Sequence, residues 1–229
     1  MKLDHVVWFT ERTPEAVASQ NPGAIVGGRH EQWGTYNALL YMQNAYMEWL
    51  AIENADKAKS SSHPLVELLK YDLSTFGEGW GTLCVSTDDI LALNDRLMDM
   101  DMETSGVLDA SRLTSSGNLK KWKMLFILEE DFTDLPAPFF IQWEESEETR
   151  RNTLRAEGAI TDDRNAERIV ECVLVTKDAE RTLERWCTIL GAAPEDTDSL
   201  KLNDVRLRFM ENPDERNRML AVKTGQAEY

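Results

Sequence analysis

The chain has 229 residues, 42% of them hydrophobic and 29% charged, enough to bury a substantial core without disulfides or a structural metal. Asp and Glu number 41 against 25 Lys and Arg, a formal net charge of −16. That charge repels phosphate backbones and anionic lipid surfaces, so nucleic acid and membrane are set aside as partners. The three cysteines, Cys84, Cys172 and Cys187, form no CxxC pair. With no visible signal peptide or apolar span, they point to a cytoplasmic protein.

In chain order, residues 3–10 predict a strand, and Thr13-Pro14-Glu15-Ala16 opens a short helix, Pro14 being favoured in a first turn. Strands follow at 24–28, 35–42 and 45–52, with Gln43-Asn44 as the turn between the last two. Residues 53–78 read as a polar stretch and then an amphipathic helix from Pro64 to about Leu73. A second copy of the pattern has a strand at 80–87, a helix at 88–100 capped by Asp88 or Asp89, and strands around 106–112, 120–128 and 138–144. Residues 145–166 are a charged connector with helical character. A third, shorter copy begins with a strand at 167–176 and a helix at 178–190 closed by Gly191, then strands at 199–202 and 204–210. Residues Gly225–Tyr229 alone read as disordered. The expected class is α+β: paired βαβββ modules, 1–76 and 77–145, curve antiparallel sheets around a hollow, with a linker helix and partial third module over 146–229, all in one compact unit.

Leu3-Asp4-His5-Val6-Val7 opens the first copy, and Tyr46-Met47-Glu48-Trp49-Leu50 places a carboxylate on its last strand. Between them lies Gly27-Gly28-Arg29-His30-Glu31-Gln32-Trp33-Gly34-Thr35-Tyr36-Asn37. With Leu119-Lys120-Lys121-Trp122-Lys123 and Pro138-Phe139-Phe140-Ile141-Gln142-Trp143, these residues resemble the glyoxalase-like domain branch of the vicinal oxygen chelate (glyoxalase/bleomycin resistance/dioxygenase) superfamily. The resemblance runs over nearly the whole chain and is weakest in the third copy.

That resemblance implies a fold of βαβββ modules and a divalent metal, zinc, nickel, manganese or iron, held by inward His and carboxylate ligands around an open position. His5 and Glu48 match the two ligand positions of the first module. In the second, anchoring on Asp89 puts Thr82 where His5 sits, and Gln142 falls opposite Glu48. The third offers Glu171 in place of His5. Thr and Gln hold transition metals poorly, so the metal site is incomplete.

The expected catalytic residues are therefore His5, Glu48 and His30, with His5 and Glu48 doubling as metal ligands. Arg29, Trp33, Thr35, Asn37, Trp122 and Gln142 are expected to bind substrate. His5, His30, Glu48 and Gln142 should face one hollow, with Arg29, Trp33, Thr35 and Asn37 at its rim. Each has a plainer reading: His5 as a hydrogen-bonded strand residue, Glu48 on a solvated edge, Arg29 paired with an acidic neighbour, and Trp122 as core. Cys84 shares a face with Thr82, but nothing cationic beside it makes it a nucleophile. His63, beside Pro64, reads as surface, and Arg112 opens a polar stretch (SRLTSSGN) able to fold over an entrance. Three functions stay open. One is an enzyme acting on a small oxygenated metabolite, a metal-assisted lyase, isomerase or dioxygenase type. The second is a metal-free binding or sequestering protein, and the third a homodimer whose modules serve association.

Overall fold

The computed structural model describes residues 1–113, 119–161 and 165–229; residues 114–118, most of the polar stretch after Arg112, lie outside the described residues. The first module runs β1 (Lys2–Phe9), α1 (Pro14–Gln20), β2 (Ile25–His30), β3 (Thr35–Tyr41) and β4 (Tyr46–Ile52). Thr13 caps α1 by accepting from the Ala16 N–H, with Pro14 in the first turn. Two helices, α2 (Ala55–Ser60) and α3 (Pro64–Thr75), lead to β5 (Gly79–Ser86), α4 (Ile90–Met98), β6 (Leu108–Leu113), β7 (Leu119–Leu125) and β8 (Phe139–Trp143). The connector forms α5 (Glu147–Ala156). The third module is β9 (Ile169–Thr176), α6 (Ala179–Leu190), β10 (Ser199–Leu202), β11 (Val205–Glu211) and β12 (Met219–Thr224). Among the described residues no helix is long and apolar enough to cross a membrane.

Strands β1 to β8 form one sheet in the order β2-β3-β4-β1-β5-β8-β7-β6, curled so that its two end strands come close. In each βαβββ module the first strand runs parallel to the last, β1 beside β4 and β5 beside β8. The modules meet where β1 runs antiparallel to β5, with His5 opposite Cys84 and Val7 opposite Thr82. The outer face carries Val6, Leu83, Val85 and Phe140 against Val17 of α1 and Ile90, Leu93 and Leu97 of α4. The inner face carries Val7, Phe9, Leu50, Cys84, Trp122, Met124, Phe139 and Ile141. Helix α3 adds Leu65, Leu68 and Leu69 to that inner cluster, and burying each contributes about 2 kcal/mol. Strands buried on both faces explain the near-continuous apolar runs of β1 and β5.

The third module makes a separate sheet, β10-β11-β9-β12, in which β11 lies parallel to β9 as β4 does to β1. Here the sequence expectation needs two corrections. Strand β12, unforeseen beyond residue 210, fills the antiparallel slot beside β9 that β5 takes beside β1. Residues 225–229 are likewise ordered: Tyr229 exchanges backbone hydrogen bonds with Val222 at 3.0 and 2.9 Å, and its carbonyl accepts from Trp80 Nε1. The module is pinned to the rest by Arg218, fully buried, whose guanidinium grips Asp72 of α3 at 2.9 and 2.7 Å and donates to the carbonyls of Phe132, Asp134 and Asn217. Asn44 ties the β3–β4 turn to the start of β9 through both its amide groups.

Candidate functional site

The glycine pair in β2 has a local cause. Register with β3 breaks between Val26 and Arg29, so Gly27 and Gly28 bulge, and the Asn37 side chain is pressed against them. A Cβ on Gly27 would lie 2.0 Å from Asn37 Oδ1, and the Gly28 N–H donates to that oxygen at 2.8 Å. Held this way, Asn37 Nδ2 donates to Glu48 Oε1 at 2.5 Å. Glu48 Oε2 in turn stands 3.4 Å from His5 Nε2.

His5 is fixed from behind. A register shift between Leu3 and His5 brings the consecutive Asp4 and His5 together, Asp4 Oδ1 2.8 Å from His5 Nδ1. Burial alone would raise the Asp4 carboxyl. Arg150 and the hydrogen bonds from His5 and Trp143 overcome that and hold it at about 2. An ionised Asp4 can only accept, so His5 Nδ1 carries the hydrogen and Nε2 is the edge presented to Glu48. Tyr46 stacks on the imidazole at 4.5 Å and Phe139 meets its edge at 5.4 Å. All of Asp4, His5, Asn37 and Glu48 are buried. The line from Gly28 to Arg150 thus holds one imidazole–carboxylate contact that can pass a proton, oriented from both ends.

Two further imidazoles face the same hollow. His30 Nδ1 lies 3.1 Å from Thr35 Oγ1 across the β2–β3 turn. Its pKa is lowered to about 3, by burial first and then by the charges of Arg112, His63 and His5. The turn needs Gly34, whose φ of +70° and contact with the Asn54 carbonyl leave no room for a side chain. It carries Trp33, which lies over His63 with ring centroids 4.0 Å apart. His63 caps α3 without a side-chain hydrogen bond, and burial lowers its pKa to about 4. All three histidines of the chain therefore line one hollow, with Leu65, Val66, Trp122, Met124, Phe139, Ile141 and Trp143 as apolar wall. Arg112 stands at its edge, its charge acting on the Tyr41 hydroxyl, and among the described residues has no carboxylate ion-pair partner. Space for water-sized bodies at the centre is about 40 Å³, room for roughly three waters. A wider groove between β2 and β6 shares Asn37 and Arg112 with the hollow.

The structure brings together His5, His30, Trp33, Thr35, Asn37, Glu48 and Trp122; Thr35 and Asn37 lie inside rather than at the rim. Two expected residues stand elsewhere. Gln142 faces away, its Oε1 accepting from the Ile90 N–H and its Nε2 donating to the Asp88 carbonyl, so it fastens β8 to the start of α4. The register gives the reason. Val7 pairs with Glu48 and Cys84 with Phe139, so, with Thr82 at the place of His5, Phe139 holds the place of Glu48. Arg29 points outward, largely exposed, onto Glu53 at 2.5 Å, and lines the outer groove. His63, expected at the surface, is buried. Asp4, Trp143 and Arg150, which position His5, carried a signal only in the adjacency of Asp4 to His5. Cys84 lies in the inner cluster, its thiol pushed well up by burial and by Asp4 and Glu48, which makes it a poor nucleophile.

The donor set does not complete a metal site. His5 and Glu48 are two ligands, and the matching positions of the second module, Thr82 and Phe139, supply one weak neutral donor and none. Among the described residues the one group of three with ligand atoms within 4.8 Å is Asp4, His5 and Cys84. There Asp4 is spent on Arg150 and Trp143, and Cys84 is held as the thiol. A catalytic zinc needs three protein ligands.

A family model described as a glyoxalase-like domain matches residues 3–190. Among solved structures, a hypothetical protein from Staphylococcus aureus superposes with a TM-score of 0.77 at 23% identity, covering 94% of this chain and 88% of that one. A methylmalonyl-CoA epimerase of Streptomyces coelicolor in complex with 2-nitronate-propionyl-CoA aligns at a TM-score of 0.46 and 17% identity, over 63% of this chain and 99% of that one. The methylmalonyl-CoA epimerase from Mycobacterium tuberculosis aligns at 0.44 and 18%, over 66% and 91%. No curated protein matches.

Proposed function

The chain belongs to the glyoxalase-like domain family, and from that premise we propose that its hollow binds a small oxygenated metabolite and moves a proton on it through His5 and Glu48 without a metal. One observation carries the reading: a buried imidazole edge, 3.4 Å from a buried carboxylate, with the far nitrogen fixed by an ionised Asp4. A carboxylate in a dry, apolar-walled space is a competent base for a C–H beside a carbonyl, and general acid–base assistance of this kind contributes about 10²–10⁴-fold. The test is hydrogen–deuterium exchange at the carbons beside the carbonyl of hydroxyacetone in D₂O, followed by NMR. The wild-type protein should accelerate exchange, and Glu48→Gln should lower the acceleration at least about 100-fold. No acceleration by the wild type overturns the proton-transfer reading. Phe139 at the second carboxylate position favours one other reading, a binding protein that holds the molecule without turning it over. Hydroxyacetone that shifts the His5 resonances without exchange would establish it.

A further inference from the structure

His63 has no role in the proton path, yet it is the least explained polar group in the molecule. It is only 7% exposed, and neither Nδ1 nor Nε2 has a hydrogen-bond partner. Among the buried side-chain nitrogens left without a partner in the described residues, only these two belong to a residue lining the hollow. Leaving such a group unpaired costs about 1–3 kcal/mol, so a native structure that keeps one calls for a reason: a water, an ion, a ligand or a role in the chemistry. The imidazole is also held rigidly. Trp33 covers it at 4.0 Å, Phe126 meets it edge-on at 5.1 Å, and its backbone N–H is bound by Ser61 Oγ while its carbonyl opens α3. Buried among apolar rings, it is neutral at pH 7, so it offers one donor and one acceptor but no charge.

We infer that His63 is a ligand-binding residue, hydrogen-bonded to a hydroxyl at the end of the bound molecule remote from His5 and Glu48. This deepens, and rests on, the small-metabolite reading. It narrows the ligand class to a compact polyoxygenated molecule of three or four carbons, with one oxygen-bearing end at the His5–Glu48 pair and a hydroxyl at the other. The small central space keeps the ligand compact, and the neutrality of both His30 and His63 agrees with an uncharged remote end.

The experiment compares dihydroxyacetone, hydroxylated at both ends, with hydroxyacetone, hydroxylated at one. Binding is read from the imidazole resonances, three in all. Wild-type protein should bind dihydroxyacetone at least fivefold tighter, with the His63 resonance moving. In His63→Phe, which keeps a ring against Trp33, the ratio should fall to between one and two. His63→Gln, which restores a donor and an acceptor, should recover part of it. An unchanged ratio in a folded His63→Phe overturns the inference, and so does a wild-type His63 signal that stays still while His5 moves, which assigns the two nitrogens to water. If the variants do not fold, that wild-type signal decides alone. If neither probe moves any histidine, the site reading itself fails. Binding that moves His5 without the hydroxyl preference removes only the part assigned to His63.

Discussion

The first and third modules place different chemistry on the same frame. In the first, β1 and β4 set His5 beside Glu48. In the third, where β9 and β11 repeat that parallel pair, Glu171 stands for His5 and Arg208, opposite Val173 as Glu48 is opposite Val7, stands for Glu48. The separations are similar, 3.4 and 3.7 Å, but the surroundings differ. Helix α3, Trp33 and the strands of the second module close over His5 and Glu48, leaving 5% and 8% of their side chains exposed. Glu171 and Arg208 keep 18% and 34%, and Lys223 joins them at 2.9 Å. Strand pairing supplies the juxtaposition, and cover supplies the chemistry. A screened ion pair contributes about 0–1 kcal/mol and little reactivity, whereas a dry, oriented pair can do proton transfer.

If cover is what separates the two, releasing it should have the largest effect. Asp72→Ala strands the fully buried Arg218, which pins the third module to α3. It should cost about 3–5 kcal/mol in denaturant unfolding. A loss under about 1 kcal/mol would mean that the third module does not brace α3. Next comes the paired substitution. Glu48→Gln should cut hydroxyacetone exchange by two orders of magnitude, about 2.7 kcal/mol on the barrier. Glu171→Gln should leave exchange unchanged and stability within about 1 kcal/mol. Equal effects would erase the distinction between the modules.

Acid should separate them too, because every histidine lies in the hollow and the third module has none. His30 and His63, lowered to about 3 and about 4 chiefly by burial, favour the neutral form in the folded chain. The unfolded chain therefore takes up their protons first. Their contribution is complete above about pH 6.5 and is lost as the pH falls toward 4 and 3, at about 1.4 kcal/mol per pH unit for each group. Asp4, held at about 2, withdraws its own contribution only below about pH 4. In urea titrations between pH 6 and 5, His63→Phe should remove roughly half of the histidine slope. An unchanged slope would show that His63 is already charged in the folded protein. The smallest effects belong outside the hollow: Gln142→Ala should cost about 1 kcal/mol by leaving the Ile90 N–H at the start of α4 without its acceptor, and Arg29→Ala should stay within about 0.5 kcal/mol. Neither should alter probe binding by more than twofold.

How far the sequence carries follows from the range of the interactions involved. His5 and Glu48 were legible because alternation within a strand and the GGRH run are local features, and one module holds both. Asn37 was legible in the same run, although its task, bridging the Gly27–Gly28 bulge to Glu48, shows only in three dimensions. Gln142 was misplaced because the phase of β8 is set by pairing with Cys84–Ser86, more than fifty residues earlier, which turns Phe139, Ile141 and Trp143 inward. His63 was misplaced because a residue before a helix proline reads as exposed when nothing local announces Trp33 above it. Strand β12 escaped for the reason that governs β8: its six residues become a strand only against β9, some fifty residues upstream.

The curl of the large sheet has one more consequence. Its two terminal strands, β2 and β6, come together without joining, and the groove beside Arg29, Ser111 and Arg112 runs between them. A sheet normally turns its last strands outward, where bare N–H and C=O groups invite a neighbour to add on and seed a fibre. Here those edges confront each other across the groove, and the bulge at Gly27–Gly28 spoils the straightness an incoming strand would need. Full closure would have removed the hazard and sealed the interior with it. Stopping one seam short leaves a groove that shares Asn37 and Arg112 with the hollow while denying a foreign strand a flat template.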